Sequence, residues 1–184
     1  MATMAIANAT EVIEEIRRVR QARAYEPTPV PADLLAELVE VARWTGSSRN
    51  TQPWHFIVVT DPATLRQLSE VRTPINWVAD APLAIAIVLD GANLASEAYD
   101  EGRVTERLLI AAHLLGLGGG TAWFGDEAQQ ARGKEILGIP PARTARSLVV
   151  IGSPTTTKDH RPNPAQGGRK PRAEVVSREQ YRRK

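Results

Sequence analysis

The sequence predicts a layered domain that mixes helices and strands, of the α+β or α/β class. Three apolar runs, Trp54 to Thr60, Leu83 to Asp90 and Arg146 to Gly152, have the length and β-branched content of buried strands. Longer segments with apolar residues at helical spacing alternate with them. A chain of 184 residues with 42% apolar content suffices for one domain with a real core.

The elements follow in order. Thr10 to Arg20 reads as a helix, with Thr10 as N-cap, Glu11, Glu14 and Glu15 in its first turns, and Ile13, Ile16 and Val19 at helical spacing. Arg17, Arg18, Arg20 and Arg23 make the following stretch basic, and Pro27, Pro29 and Pro31 force an extended connector. A second helix is expected from Ala32 to Trp44, ended by Gly46. Asp61-Pro62 starts a third, with a carboxylate at the N-cap and proline at the first helical position. Thr73 to Pro82 contains two prolines and is expected to be irregular or a short helix. Leu94 to Leu115 reads as a long helix, apolar nearly all round in its second half and therefore central to the molecule or to a dimer. Gly102 inside it suggests close packing there. In the glycine-rich run Gly116 to Gly125, Gly118 to Gly120 read either as a helix terminator or as a close backbone approach to a ring, and Asp126 to Leu137 is a further helix. From Ser153 the chain is rich in proline, glycine and arginine, as expected of an arm that is disordered or laid across a surface.

Composition excludes several classes of chemistry. With no cysteine, disulfides, thiolate metal sites and a cysteine nucleophile are ruled out, and a reducing cytoplasm is the expected location. His55, His113 and His160 are scattered, so no metal site is expected, and His113 reads as a core histidine. No nucleophile elbow or Walker loop is present. The glycine run places Thr121 where a dinucleotide fingerprint needs its third glycine. No apolar run approaches the length of a membrane span. The net charge of +2 conceals an asymmetry, with nine Lys/Arg against three Asp/Glu from Lys158 onward, which leaves the body at 2 − 6 = −4. A basic tail allows a non-catalytic, nucleic-acid-binding reading, but no recognition motif supports it.

The residues that remain suit a planar, anionic ligand. Arg20 and Arg23, three apart at a predicted helix end, can fork onto phosphate oxygens. Ser47, Ser48, Asn50 and Gln52 offer hydroxyl and amide groups in a short turn before the first strand; they suit the edge of a heterocycle or simply close the turn. Trp77, Trp123 and Phe124 can stack on a ring or fill the core.

V-R-Q-A-R-A-Y followed by P-V-P, and then S-S-R-N-T-Q-P-W-H-F-I-V-V, resembles the N-terminal signature of the nitroreductase family of FMN-dependent oxidoreductases. A-P-L-A-I-A-I-V, D-E-G-R-V-T-E-R-L-L-I-A-A-H-L-L-G-L-G, L-G-I-P and R-K-P-R-A-E-V-V agree in order and spacing, from about Ile13 to Val176. The resemblance implies a three-layer α+β fold with a central, mostly antiparallel sheet flanked by helices. It also implies a homodimer with FMN at its interface, and a single domain over 1–184 whose arm, 153–184, packs on the partner subunit. It implies that Arg20, Gln21 and Arg23 lie near the flavin phosphate or pyrimidine edge, that Ser47, Ser48 and Asn50 line the ring with Gln52 close by, that backbone N–H groups of Gly120, Thr121 and Ala122 face N5, and that Arg169 returns to the phosphate. The implied activity is reduction of nitroaromatics, quinones or similar small acceptors by NADH or NADPH through flavin N5. No side chain acts as general acid or base in that reaction, so no catalytic residue is assigned. Relatives that break down flavin, dehalogenate aromatics or oxidise azolines supply the alternative. Two departures stand out: Val19-Arg20-Gln21 occupies the place of the usual Arg-Arg-Ser, and Gly46 that of the proline before Ser-Ser.

Overall fold

A computed structural model describes residues 9–155 and 169–181. Its helices are α1 (Ala9–Arg18), α2 (Ala32–Arg43), α3 (Pro62–Ser69), α4 (Leu94–Leu114), α5 (Glu127–Ile136) and the short α6 (Arg172–Val175). Its strands are β1 (Trp54–Val59), β2 (Leu83–Leu89), β3 (Gly118–Trp123) and β4 (Ser147–Gly152). Turns of 3-10 helix occupy Ser48–Asn50 and Thr73–Asp80.

The strands form one sheet in the order β1-β2-β4-β3, and every neighbouring pair is antiparallel. β2 and β4 are central and buried along their whole length, which is why they read as unbroken apolar runs. Two cores cover the two faces. One gathers Leu65, Leu68, Ile75, Val78, Phe124 and Tyr25 around α3 and the Thr73–Asp80 segment. The other packs Leu38 and Ala42 of α2 and Val104, Leu108 and Ala112 of α4 against Ile85, Ile87 and Val149. The result is helix, sheet, helix, the three-layer α+β arrangement expected.

Asp61 caps α3 as the sequence indicates: its Oδ2 accepts the Thr64 N–H at 2.9 Å and the Thr64 hydroxyl at 2.6 Å. These hydrogen bonds hold the Asp61 carboxyl below its ordinary value of 3.8. A depressed carboxylate stabilises the fold above the ordinary aspartate range, and that contribution is lost as pH falls through the folded-state value. Asp61→Ala is therefore expected to melt below the wild type at pH 7, with the gap closing as pH falls below about 4. Thermal melts at several pH values check this.

Several expectations change. Thr10 lies within α1, which begins at Ala9, so it is not the N-cap. α1 ends at Arg18, so Arg20 and Arg23 sit in an extended segment and share no helical face. α2 ends without Gly46 in a left-handed conformation; the Thr45 hydroxyl instead donates to Val41 O at 3.2 Å. Among the described residues, apart from its chain neighbours and the backbone of its own helix, no atom lies within 4 Å of a Cβ built at Gly102, so close packing there does not come from them. Gly118 to Gly120 are not a terminator but part of the edge strand β3; α4 is ended by Gly116, at φ 76°, whose N–H donates to His113 O at 3.0 Å while Leu117 N donates to Ala112 O at 2.8 Å. His113 is half-buried and pairs with Glu15 at 2.9 Å, joining α4 to α1, so it is not a core histidine. That hydrogen bond is the main reason the Glu15 carboxyl sits below its ordinary value, with Arg18 adding to the effect and desolvation opposing it.

Candidate functional site

The outer edge of β3 organises one part of the site. Ala22 N donates to Gly119 O at 2.8 Å, so the chain after α1 runs alongside this edge. Because residues alternate along an antiparallel strand, Gly119, Thr121 and Trp123 turn their backbone groups outward, while Gly120 and Ala122 turn theirs toward β4. Of the three N–H groups at Gly120, Thr121 and Ala122, only that of Thr121 faces the open edge. It donates to Gln21 Oε1 at 3.2 Å. The next outward backbone N–H is that of Trp123, a position the sequence reading treated only as a stacking or core residue.

The missing Cβ atoms on β3 allow this approach. A Cβ at Gly119 would stand 2.8 Å from Leu109 Cδ2 of α4, and one at Gly120 would collide with the Ala22 carbonyl. Arg20 folds back on α1, donating from Nη1 to Arg17 O at 2.6 Å and Val19 O at 2.7 Å. It thereby serves the carbonyl-rich helix end, where a cation is favoured. Arg20, Gln21 and Arg169 line one cleft of about 600 Å³ together with Arg17, Leu109 and Glu106. Among the described residues neither Arg20 nor Arg169 forms an ion pair. Two guanidiniums at one cleft without carboxylate partners suit a phosphate. Arg23 is exposed nearby on the same extended segment.

The second part is the turn before β1. Asn50 N donates to Ser47 O and Thr51 N to Ser48 O, both at 3.1 Å, and Gln52 N donates to Ser47 Oγ at 2.8 Å. Arg49, Asn50 and Gln52 all have positive φ, at 53°, 56° and 47°. Asparagine tolerates that region, whereas each of the others costs roughly 1–2 kcal/mol. α4 over-determines the turn from the far side: Asp100 Oδ2 accepts Ser48 N at 3.4 Å, Arg103 reaches Gly46 O at 3.4 Å, and Arg107 donates to Trp44 O at 3.1 Å. Ser48, Asn50 and Gln52 remain exposed. Backbone strain held in place by tertiary contacts is a mark of functional turns.

None of Ser47 to Gln52 lines the arginine cleft. The two parts engage different faces of α4: Asp100, Arg103 and Arg107 hold the turn, whereas Glu106 and Leu109 face the arginine cleft. At 100° per residue these faces are about 120° apart. Among the described residues no cluster of three or more His, Cys, Asp or Glu side chains can hold a metal ion, and no helix is long and apolar enough to cross a membrane.

A family model described as the nitroreductase family matches residues 16–86. The chain is 32% identical over 157 residues to a protein of Archaeoglobus fulgidus provisionally described as an NADH dehydrogenase/NAD(P)H nitroreductase, covering 81% of this chain and 88% of that one. An FMN-dependent nitroreductase of Clostridium difficile is similar in structure, with a TM-score of 0.74 and 27% identity over 79% of this chain and 89% of that chain. A protein of Bacteroides thetaiotaomicron shares the fold with a TM-score of 0.82 at 19% identity, covering 94% of this chain and 99% of that chain.

Proposed function

The chain belongs to the nitroreductase family, and on that footing we propose that it is an FMN-dependent oxidoreductase that uses NADH or NADPH to reduce small acceptors such as nitroaromatics and quinones. Bound FMN would supply the two-electron chemistry, taking a hydride from the nicotinamide and passing two electrons to the acceptor. The residues present fit that group. Arg20 and Arg169 would hold the phosphate, and Gln21, fixed against Thr121, would meet the polar edge of the ring. The outward N–H of Trp123 replaces those of Gly120 and Ala122 as the donor offered to the reduced ring, a fixed dipole of the kind that stabilises developing charge.

Ser47, Ser48, Asn50 and Gln52 would complete the pocket from a second copy of the chain. The separation of the two parts on α4 supports that reading. So do Ile13 and Ile16 of α1, Tyr99 and Leu114 of α4, and Val175, Val176 and Tyr181 of the C-terminal segment, all of them exposed in the single chain. A partner packed on these side chains would take their apolar area out of water. The 153–184 arm fits as part of that contact, although 156–168 and 182–184 lie outside the described residues.

The observation that carries the proposal is the cleft in which two guanidiniums, without ion-pair partners among the described residues, stand beside Gln21 and the open edge of β3. The test is a visible spectrum of the purified protein, an FMN titration and a trace of NAD(P)H oxidation. Arg20→Ala and Arg169→Ala are each expected to weaken FMN binding about tenfold or more, the scale of one charge-assisted hydrogen bond. A colourless protein that binds no added FMN sinks the proposal. The compact Thr73–Asp80 segment, a 3-10 turn without inserted helices, keeps a second reading in view: an FMN enzyme that breaks down flavin, dehalogenates aromatics or oxidises azolines. Bound flavin without pyridine-nucleotide oxidation would favour it.

A further inference from the structure

The side chains of Arg72 and Trp123 form a pair that the flavin site, which takes only the backbone N–H of Trp123, does not use. Trp123 ends β3 and is 49% exposed, an unusual position for so large an apolar ring. The Arg72 guanidinium lies 4.9 Å from the centre of that ring. Arg72 is half-buried, and among the described residues no ion pair joins it to a carboxylate. Its position is fixed at both ends. Its carbonyl accepts Ile75 N at 3.0 Å, and its stem passes over Gly125, where a Cβ would stand 3.1 Å from Arg72 Cδ. Gly125 has φ +115°, a conformation that only glycine adopts readily, so the passage is built into the backbone.

Trp123 also stands in line with the flavin site. Gly119, Thr121 and Trp123 point to the same side of the sheet, the side on which Gly119 faces Leu109 and the arginine cleft. From Gly119 to Trp123 the strand advances about 13 Å. A ring docked along this edge past the Gln21–Thr121 contact therefore reaches the indole.

We propose that Arg72 and Trp123 select the acceptor, and that they favour planar acceptors carrying an anionic group, nitroaromatic carboxylates being the simplest case. The indole offers an aromatic surface for stacking, and the guanidinium offers a forked donor to the carboxylate. For such an acceptor the step balances as one nitro group, one NAD(P)H and one proton giving one nitroso group, one NAD(P)⁺ and one water. Two electrons leave the nicotinamide and reduce the nitro nitrogen, and one N–O bond breaks.

This inference rests on the flavin reading, and the experiment separates the two. With FMN-loaded enzyme, KM is measured for 4-nitrobenzoate and for the neutral 4-nitrobenzamide, and benzoate binding is measured by calorimetry on the same proteins with and without added FMN. The wild type is expected to show a KM about tenfold lower for the carboxylate, the scale of a charge-assisted hydrogen bond. Arg72→Gln is expected to bring the two KM values within about twofold and to remove benzoate binding, with FMN affinity unaltered, and Arg72→Lys to restore part of the preference. Trp123→Leu is expected to raise both KM values about fivefold. Arg132→Gln, an exposed charge on α5 paired with Glu135, serves as the control. A preference that survives in Arg72→Gln, or a wild type with no preference, overturns the proposal. Benzoate calorimetry needs no turnover, so it decides the role of the pair even where FMN fails to bind and the flavin reading falls.

Discussion

Gly120→Ala is expected to cost about 3 kcal/mol of stability and to weaken FMN binding at least tenfold. The built Cβ would collide with the Ala22 carbonyl oxygen and stand 3.1 Å from Trp77 Cη2 and 3.2 Å from Tyr25 Oη. None of these neighbours can yield cheaply. Tyr25 Oη donates to that same Ala22 carbonyl at 2.6 Å in a buried hydrogen bond. Trp77 packs against the core beside Tyr25, with ring centroids 6.3 Å apart. Relief must come from moving the Gln21–Ala22 segment off β3, which breaks Ala22 N to Gly119 O and Thr121 N to Gln21 Oε1. The same displacement shifts Arg20 away from its cleft. At about 2–4 °C per kcal/mol for a chain of this size, the melting midpoint is expected to fall by about 6–12 °C. Thermal melts with an FMN titration check both effects. A variant that melts like the wild type would show that the close approach of the two segments is not what the fold depends on.

Much of this architecture is legible in the sequence. Asp61-Pro62 opens α3 because an N-cap carboxylate and an N1 proline act locally, within a few residues. β2 and β4 are legible because burial is written into unbroken apolar runs; β1 reads as buried too, from its aromatic and β-branched content, but is an edge strand with His55 and Val58 exposed. β3 is not, because Gly118-Gly119-Gly120 has no side chains to alternate and low strand propensity. Its structure comes from pairing with β4 and from Ala22, Leu109 and Trp77 filling the space where Cβ atoms would be. The turn from Ser47 to Gln52 shows its polar character in the sequence, but the positive φ of Arg49 and Gln52 depends on α4, which is distant in the chain. The Arg72–Trp123 pair joins two segments with no local relation, so a single sequence carries no sign of it. The same holds for the polar first half of α4, where nothing local marks a carboxylate as buried. Glu97, Asp100 and Glu101 are 3%, 1% and 7% exposed.

Those buried carboxylates set up the second large effect: Glu101→Ala is expected to destabilise the protein by about 3–5 kcal/mol. Glu101 Oε2 accepts Arg146 Nη1 at 2.7 Å, and its Oε1 accepts the Ser147 hydroxyl at 2.7 Å. Arg146 Nη2 also donates to Leu94 O at 3.2 Å, so the network ties the first half of α4 to the start of β4. The side chains of Arg146 and Glu101 are only 19% and 10% exposed, so water cannot replace the lost partner. Alanine at 101 would leave a guanidinium nearly buried without its counter-charge and a buried hydroxyl without its acceptor, and that desolvation cost sets the magnitude. The pair itself contributes far less than its removal costs, because forming it already required taking both charges out of water. Glu101→Leu combined with Arg146→Met is therefore expected to recover most of the stability lost in the single variant. The consequence reaches the site, because Asp100 next to Glu101 holds Ser48 N. If α4 shifts, the strained turn loses the contact that fixes it, and FMN affinity falls in the single variant and returns in the double one. Urea unfolding of the wild type and both variants, each with an FMN titration, tests the argument. A single variant within about 1 kcal/mol of the wild type would mean that α4 is held by its apolar contacts alone.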